Sequence, residues 1–418
     1  MIGRHTKQIS PAAKDSGARL QSLDGLRGLA AIVVLLHHCA LAHPAFSDIY
    51  TSAEVPPTGS LWWWISATPI RLLTFGAESV VVFFVLSGMV ITFPVLRYLN
   101  FNWRSYYVAR TVRLWVPVAA SILLATLWIS LVPQVESPFV SKWVLYRSTP
   151  SLDWAEVGAS LDLLRGPTRL NNPLWSIQWE FIFSLLLPVF IWIGVLLKHR
   201  PIALGAGCAL VVGLGYLTST PALMYLPVFL TGVMLALRWS SVSSVLLRLS
   251  NNRFGHYLWV TFLLISFVML SSHWILWSCR VTDSVLIAAS QAFVLWGAAN
   301  LVIAAALCPF AKRALTSGVT QWLGRISFSL YLVHAPIIIA AVYLFGANQW
   351  VKPVIVAIPT SLIVAQMFYW LVERPSHKLA KKVGNNARKS WVSSSHGMDQ
   401  TEGDTAGRDP QSSPLVSV

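Results

Sequence analysis

The first apolar run of the sequence, from Leu23 to Cys39, contains two ionisable side chains that could do chemistry inside a membrane. Arg27 and His38 stand eleven residues apart, about three helical turns, so they share one face of a helix. The guanidinium can bind an anion at the start of the span. A neutral imidazole about 16 Å further in, near mid-bilayer, can act as a general base on a hydroxyl. Ionisable residues inside membranes are usually functional, but a buried histidine bonded to another helix is an equal interpretation of the residues alone.

Two neighbours of this pair are weaker candidates. His37 lies about 100° around the helix from His38. Asp24 is too far along the same helix to orient the His38 imidazole while that helix is straight. His38 is therefore the histidine that shares a face with Arg27.

A second charged motif lies at the inner end of the predicted third span, where Arg110 and Arg113 occupy positions i and i+3. Such residues are neighbours on one helix face, and two guanidiniums can bind phosphate groups bidentately. The alternative, which the residues alone favour, is a pair of ordinary cations whose side chains reach the lipid headgroups.

Later spans contain four more ionisable groups. Glu180 follows Trp175 below the predicted outer interface, where a carboxylate needs a partner or a water-filled cleft; it could orient a base, bind a sugar hydroxyl, pair with an arginine or make a structural hydrogen bond. His334 lies about 12 Å into the predicted ninth span, with structural and functional interpretations equal. Glu373 and Arg374, just before Pro375, are predicted to end the last span in a local ion pair.

The composition is that of a polytopic membrane protein. Of 418 residues, 55% are hydrophobic and 11% charged, whereas soluble domains carry roughly a quarter charged residues. The net charge of +15 does not indicate nucleic-acid binding, because the basic residues recur at the ends of apolar runs and no nucleic-acid-binding motif is present. The four cysteines have neither metal nor redox spacing, so no metal site is expected.

Ten apolar runs predict an all-α bundle of about ten transmembrane helices. Their approximate bounds are 23–43, 79–96, 114–133, 174–196, 202–217, 221–238, 256–271, 284–307, 326–345 and 352–372. The positive-inside rule then places both termini in the cytoplasm, and the long outer loops, 44–78 and 134–173, are expected to cover the outer mouth of the bundle. We expect a basic cytoplasmic arm over 1–22, a transmembrane domain over 23–382 and a disordered cytoplasmic tail over 383–418.

Five fragments in this order resemble signatures of the acyltransferase 3 family of integral-membrane O-acyltransferases, over roughly residues 20–380. They are Leu23–Leu29 with the Arg27-to-His38 spacing, Phe83–Gly88 with Ser87, Arg110-x-x-Arg113, Trp175–Glu180, and Ser329–His334 with Tyr331. Met89 departs from the pattern, since an aromatic residue is usual there. Each fragment alone is weak, but their joint order is a strong match.

The resemblance implies a cytoplasmic acyl-CoA donor, usually acetyl-CoA, with no permanently bound cofactor, and an acceptor hydroxyl commonly on a sugar. We assign His38 and Glu180 as catalytic and Arg27, Arg110 and Arg113 as donor-binding residues. Substrate-contacting or structural roles are expected for the following residues: Asp24, Ser87, Trp175, Tyr331 and His334.

The predicted function is O-acylation of an exported, cell-envelope or lipid-linked glycan or glycosidic acceptor at a bacterial inner (plasma) membrane. Some relatives carry an extracytoplasmic hydrolase-like domain that completes transfer, so a separate transferase partner is an open alternative. Direct transfer and a covalent acyl intermediate are both open. A proton-coupled secondary transporter and an acyl-group exporter serving another transferase are the rival functions.

Overall fold

A computed structural model describes residues 11–51, 56–98, 100–134, 140–149, 151–164, 169–346 and 349–388. These residues form helices, turns and irregular connections, with no strand among them. The predicted all-α membrane bundle is confirmed.

Helices follow one another along the described part of the chain. In chain order they are α1 (Pro11–Leu41), α2 (Pro44–Thr51), α3 (Leu61–Ala67), α4 (Gly76–Arg97), α5 (Trp103–Leu131), α6 (Lys142–Arg147), α7 (Trp154–Ser160), α8 (Leu174–Leu196), α9 (Pro201–Leu217), α10 (Pro221–Leu237), α11 (Trp239–Ser250), α12 (Gly255–Leu270), α13 (Ser272–Ser278), α14 (Ser284–Leu307), α15 (Pro309–Leu315), α16 (Gly318–Phe345) and α17 (Val351–Phe368). Each of the ten predicted spans coincides with one of the longer helices.

Fewer than ten of the described helices meet the length and composition expected of a membrane span. Seven described helices are long and apolar enough to cross a membrane, or up to nine if α10–α11 and α12–α13, bent by 71° and 58°, each count as one span. The apolar helix α9 is shorter. The count of ten and the cytoplasmic position of both termini therefore stay predictions.

Two helices begin earlier than their hydropathy predicts, because polar residues cap them. The Asn102 side chain accepts a hydrogen bond from the Ser105 amide at 2.8 Å, the usual N-cap arrangement, and α5 starts at Trp103. Arg110 and Arg113 therefore lie in the second and third turns of α5 and not at its end. In the same way α16 starts at Gly318, which places His334 about 24 Å along that helix rather than 12 Å.

The last helix also continues beyond its predicted end. A π-helical turn, Tyr369–Glu373, follows α17, and the helix then runs through Pro375 to residue 388. A proline ring clashes with the carbonyl four residues earlier, here Leu371, and the wider π turn accommodates it. The prediction that the helix ends at Glu373–Pro375 is wrong. The predicted tail boundary at 383 falls inside this helix, and 389–418 lie outside the described residues.

Glycines bring α1 and α16 unusually close together. A Cβ atom on Gly28 would lie 2.4 Å from the Gly324 amide nitrogen, and one on Gly324 would lie 2.5 Å from the Asp24 carbonyl oxygen. Small residues permit this close approach of helix backbones in membrane proteins. The glycines of the Leu23–Leu29 signature therefore position α1 against the helix that carries His334.

The described parts of 44–78 and 134–173, the predicted outer loops, pack over the C-terminal end of α1. The Ser141 hydroxyl donates to the Leu41 carbonyl at 2.8 Å, and the Trp143 amide donates to the Ser47 hydroxyl at 2.9 Å. Helices α2 and α6 are thereby fixed across the region next to His38.

Candidate active site

His38 and His334 contact each other in the core, although 296 residues separate them in sequence. The His334 Nδ1 atom lies 2.9 Å from the Leu330 carbonyl oxygen. Since a carbonyl only accepts, Nδ1 carries the proton and Nε2 of the neutral ring is an acceptor. His38 Nδ1, 2.8 Å away, therefore donates to His334 Nε2. This chain of bonds fixes the orientation and tautomer of His38.

The opposite nitrogen of His38 is left with a free electron pair. Because Nδ1 carries the proton, Nε2 is the basic atom, and the Asn172 amide nitrogen donates to it at 3.0 Å. Trp143 of α6 stacks on the same imidazole, with ring centroids 5.2 Å apart. His38 is thus presented with one basic nitrogen in a buried polar site.

Asn172 is a site residue that the sequence reasoning missed. The preceding Asn171 donates to the Leu332 carbonyl of α16 at 2.9 Å and so fixes the loop before α8 against the core. The side-chain oxygens of both asparagines are buried without a hydrogen-bond partner in the described structure. The sequence signal that could have identified them is the pair of adjacent asparagines just before the apolar helix α8.

The geometry distinguishes His38 from His37. His37 Nδ1 donates to the Thr74 carbonyl at 2.8 Å and faces α4, away from Asn172. His38 lies three residues before the end of α1. This is closer to the C-terminal end of the helix than the middle of the predicted span, because α1 ends at Leu41 and the short helices α2 and α6 cover that end.

Glu180 is held by an arginine and does not contact His38. Its Oε1 lies 2.5 Å from Arg110 Nη2 and accepts a 3.2 Å bond from the Ser87 hydroxyl. Arg110 Nε also donates to the Ser184 hydroxyl at 3.0 Å. Of the roles left open for Glu180, the geometry favours pairing with an arginine, so we treat it as a positioning residue that joins α4, α5 and α8.

Arg113 differs from Arg110 in its surroundings. No carboxylate of the described residues lies within ion-pair distance of Arg113, and its side chain is exposed to the interior cavity described next. Arg27 also reaches this cavity and lies 3.7 Å from the exposed Asp24 carboxylate. The two guanidiniums can therefore contact a bound anion.

The predicted donor-binding arginines line one cavity of about 150 Å³. Its polar lining comprises Arg27, Ser87, Arg110, Arg113, Ser176, Glu180, Ser327, Tyr331, Glu373 and His377. It adjoins a vestibule of about 730 Å³, at the predicted cytoplasmic end, that shares Arg110, Arg113 and His377. The vestibule and the cavity together form a passage, and basic residues line its entrance.

Tyr331 and Ser176 separate this passage from the histidines. Their hydroxyl oxygens lie 2.6 Å apart, and the Tyr331 ring centroid is 5.9 Å from that of His334. Trp175 packs against Tyr225, with centroids 5.1 Å apart, and does not line the cavity. Tyr331 therefore lies between the cavity and His334, whereas Trp175 has a packing role.

Residues 20–370 match the family model described as an acyltransferase domain. The chain belongs to the acyltransferase 3 family. This acyltransferase is 24% identical over 377 residues to the O-acetyltransferase PaAT-1 of Phomopsis amygdali, covering 76% of this chain and 71% of that protein. No solved structure matches it. The resemblance inferred from the motifs is confirmed, and the protein is an O-acyltransferase of the membrane-embedded kind.

The acyltransferase contains a further buried charge, Arg71, that the sequence reasoning missed. Arg71 lies 3.6 Å from the centroid of the Trp274 ring and donates to the Tyr50 hydroxyl. Glu78 accepts a 2.7 Å bond from the Trp274 indole. Burial raises the pKa of Tyr50, so this phenol stays protonated and neutral. The cluster joins α2, α4 and α13 around His37.

Removing His334 should reduce turnover without weakening donor binding. In the His334→Ala acyltransferase the His38 Nδ1 proton loses its acceptor, and the imidazole loses its fixed orientation. We expect kcat to fall by about 100-fold, with the KM for acyl-CoA unchanged. His334→Gln, whose amide oxygen can accept the same bond, should restore part of the rate. Steady-state kinetics separate the two constants; an equal loss in both variants would show that His334 acts in packing alone.

Proposed function

We propose that this acyltransferase moves an acyl group, acetyl in particular, from cytoplasmic acyl-CoA to a hydroxyl of a glycan, a lipid-linked saccharide or another glycosidic acceptor. The observation that supports this most is the passage that begins at Arg27 and Arg113 and ends at Tyr331, next to His334, the hydrogen-bond partner of His38. Coenzyme A has a negatively charged, phosphorylated nucleotide at one end and a long arm that ends in a thiol at the other. The distance along α1 from Arg27 to His38, about 16 Å, is similar to the length of that arm.

In the proposed reaction, His38 Nε2 removes the proton from the acceptor hydroxyl while the hydroxyl oxygen attacks the thioester carbonyl. The carbon–sulfur bond breaks, and the thiolate takes the proton from the His38 imidazolium. The products are an ester and free coenzyme A. His334 Nε2 accepts the hydrogen bond from the Nδ1 proton of His38 and stabilises the His38 imidazolium, as an orienting partner does in other histidine-based sites.

The surroundings of His38 favour an alcohol as the acceptor. An incoming hydroxyl replaces Asn172 Nδ2 as the donor to His38 Nε2. The Asn172 Oδ1 atom, buried and without a partner in the described structure, can accept from a second hydroxyl. An unsatisfied buried group costs about 1–3 kcal/mol, and a polyol would satisfy it. The name of the O-acetyltransferase from Phomopsis amygdali supports an acetyl donor and an oxygen acceptor.

The proposed location is the bacterial inner (plasma) membrane. Acyl-CoA is proposed to enter from the side of the membrane at which Arg27 lies. Transfer by the chain itself is proposed over export to a separate transferase, because base and donor passage lie in one bundle.

The proposal is tested with purified protein in proteoliposomes that contain a panel of glycosides. Labelled acetyl-CoA is added on one side only. We expect acetyl-CoA-dependent release of thiol and a labelled ester that base hydrolyses. Proton-coupled uptake of a glycoside without acetyl-CoA would instead support the transporter. Labelled acetyl that crosses the membrane but forms ester only after cell extract is added would support the exporter.

A further inference from the structure

The last helix extends beyond the expected end of the membrane span and forms one wall of the basic vestibule. We call residues 374–388 the C-terminal extension. Its vestibule-lining residues are His377, Ala380, Lys381, Asn385 and Arg388. Counted from His377 they occupy positions i, i+3, i+4, i+8 and i+11, which share one helix face.

Packing against α5 fixes this face next to the arginine motif. A Cβ atom on Gly384 would lie 3.0 Å from the Ser105 carbonyl oxygen and 3.1 Å from the Ala109 Cβ atom. Ala109 immediately precedes Arg110. At the start of the extension, Glu373 accepts a 2.5 Å bond from Ser329 of α16. The extension is therefore held by α16 just before its first residue and by α5 near its end.

The vestibule has a positive charge that no carboxylate in its lining offsets. Lys381 and Arg388 are exposed and face it together with Arg113, while Arg110 is already neutralised by Glu180. The lining includes no aspartate or glutamate. The aromatic rings of Tyr98 and Phe101 also line it, and Tyr98 is 66% exposed. Cations beside an aromatic surface suit a phosphorylated nucleoside.

We infer that the C-terminal extension binds the phosphorylated adenosine end of the donor, with Lys381 and Arg388 contacting its phosphates. This assignment rests on the proposed function. The vestibule and the inner cavity share Arg110, Arg113 and His377, so one ligand can occupy both. With its thioester near Tyr331 and its arm past Arg113, the nucleotide end lies against the extension. Anionic lipid headgroups offer the same phosphate chemistry, and the test separates the two.

The test measures binding of coenzyme A and of 3′-dephospho-coenzyme A to the full chain in phosphatidylcholine nanodiscs. We expect the wild-type protein to prefer coenzyme A. Lys381→Ala/Arg388→Ala should weaken coenzyme A binding by about 100-fold or more, since each of the two charge-assisted bonds contributes about 1.5 kcal/mol or more, and should reduce the preference for the 3′-phosphate. Lys378→Ala/Lys382→Ala removes two charges of the same helix that do not line the vestibule and should bind as the wild type does.

The outcomes distinguish this inference from the proposed function. Unchanged coenzyme A binding by the Lys381/Arg388 variant, or an equal loss in both double variants, overturns the inference. The proposed function is not contradicted in either case, as long as the wild-type protein binds coenzyme A. Failure of the wild-type protein to bind either ligand overturns both. Competition by phosphatidylglycerol in the nanodiscs, with no preference for the 3′-phosphate, would assign the site to lipid. The single variants Lys381→Gln and Arg388→Gln give the same comparison if the double variant does not fold.

Discussion

Replacing His38 by alanine should lower the rate of acyl transfer by about 1,000-fold, the middle of the range for a lost general base. The variant keeps the donor passage, because His38 does not line the cavity that holds Arg27 and Arg113. Coenzyme A binding should therefore stay at the wild-type level while ester formation is lost. The measurement is transfer from labelled acetyl-CoA, with binding measured on the same preparation.

The adjacent histidine provides the matched control. His37 is as buried as His38 but donates to the Thr74 carbonyl, and the side-chain amide of His37→Asn can donate in its place. This variant should keep most of the transfer rate. Wild-type turnover by the His38→Ala protein would refute its role as the base, and an equal loss in both variants would indicate damage to the fold.

The helix that carries His38 could be predicted from the sequence, whereas the residues that contact His38 could not. Apolar periodicity and the spacing from Arg27 are local, and both identify α1 and its functional face. The bond to His334 depends on two helices that meet through glycine contacts. The loop that carries Asn172 is placed by a hydrogen bond from Asn171 to α16. One sequence does not show which distant helices pack together, so each histidine had two equal interpretations.

The helix ends show a different limit. Hydropathy placed the start of the third span near residue 114, because Trp103–Arg113 is rich in aromatic and basic residues; the Asn102 cap starts it eleven residues earlier. Pro375 indicated a helix end, yet the π turn before it allows the helix to continue. Both differences bear on function, since they place Arg113 inside the bundle and Lys381 on the vestibule wall.

The two arginines of Arg110-x-x-Arg113 should respond differently to removal. Arg113→Ala deletes a guanidinium that faces the cavity without a carboxylate partner in the described structure. We expect the dissociation constant for coenzyme A to rise about 10- to 100-fold, because a charge-assisted bond to phosphate contributes about 1.5–3 kcal/mol. The melting temperature in detergent should change little. Arg113→Lys, which keeps the charge but not the bidentate geometry, should bind with intermediate affinity.

Arg110→Ala should instead destabilise the protein, because it leaves the Glu180 carboxylate without its partner. Breaking a fully buried ion pair from one side costs about 3–5 kcal/mol; this pair is partly buried, so we expect a smaller loss of stability, which a lowered melting temperature would report. Adding Glu180→Gln removes the unpaired charge and should recover most of that stability, so the two changes are strongly non-additive. The Arg113→Ala/Glu180→Gln protein, whose residues are not paired, gives the comparison. If Arg113→Ala lowers stability as Arg110→Ala does and leaves coenzyme A affinity intact, Arg113 is a structural cation and does not bind the donor.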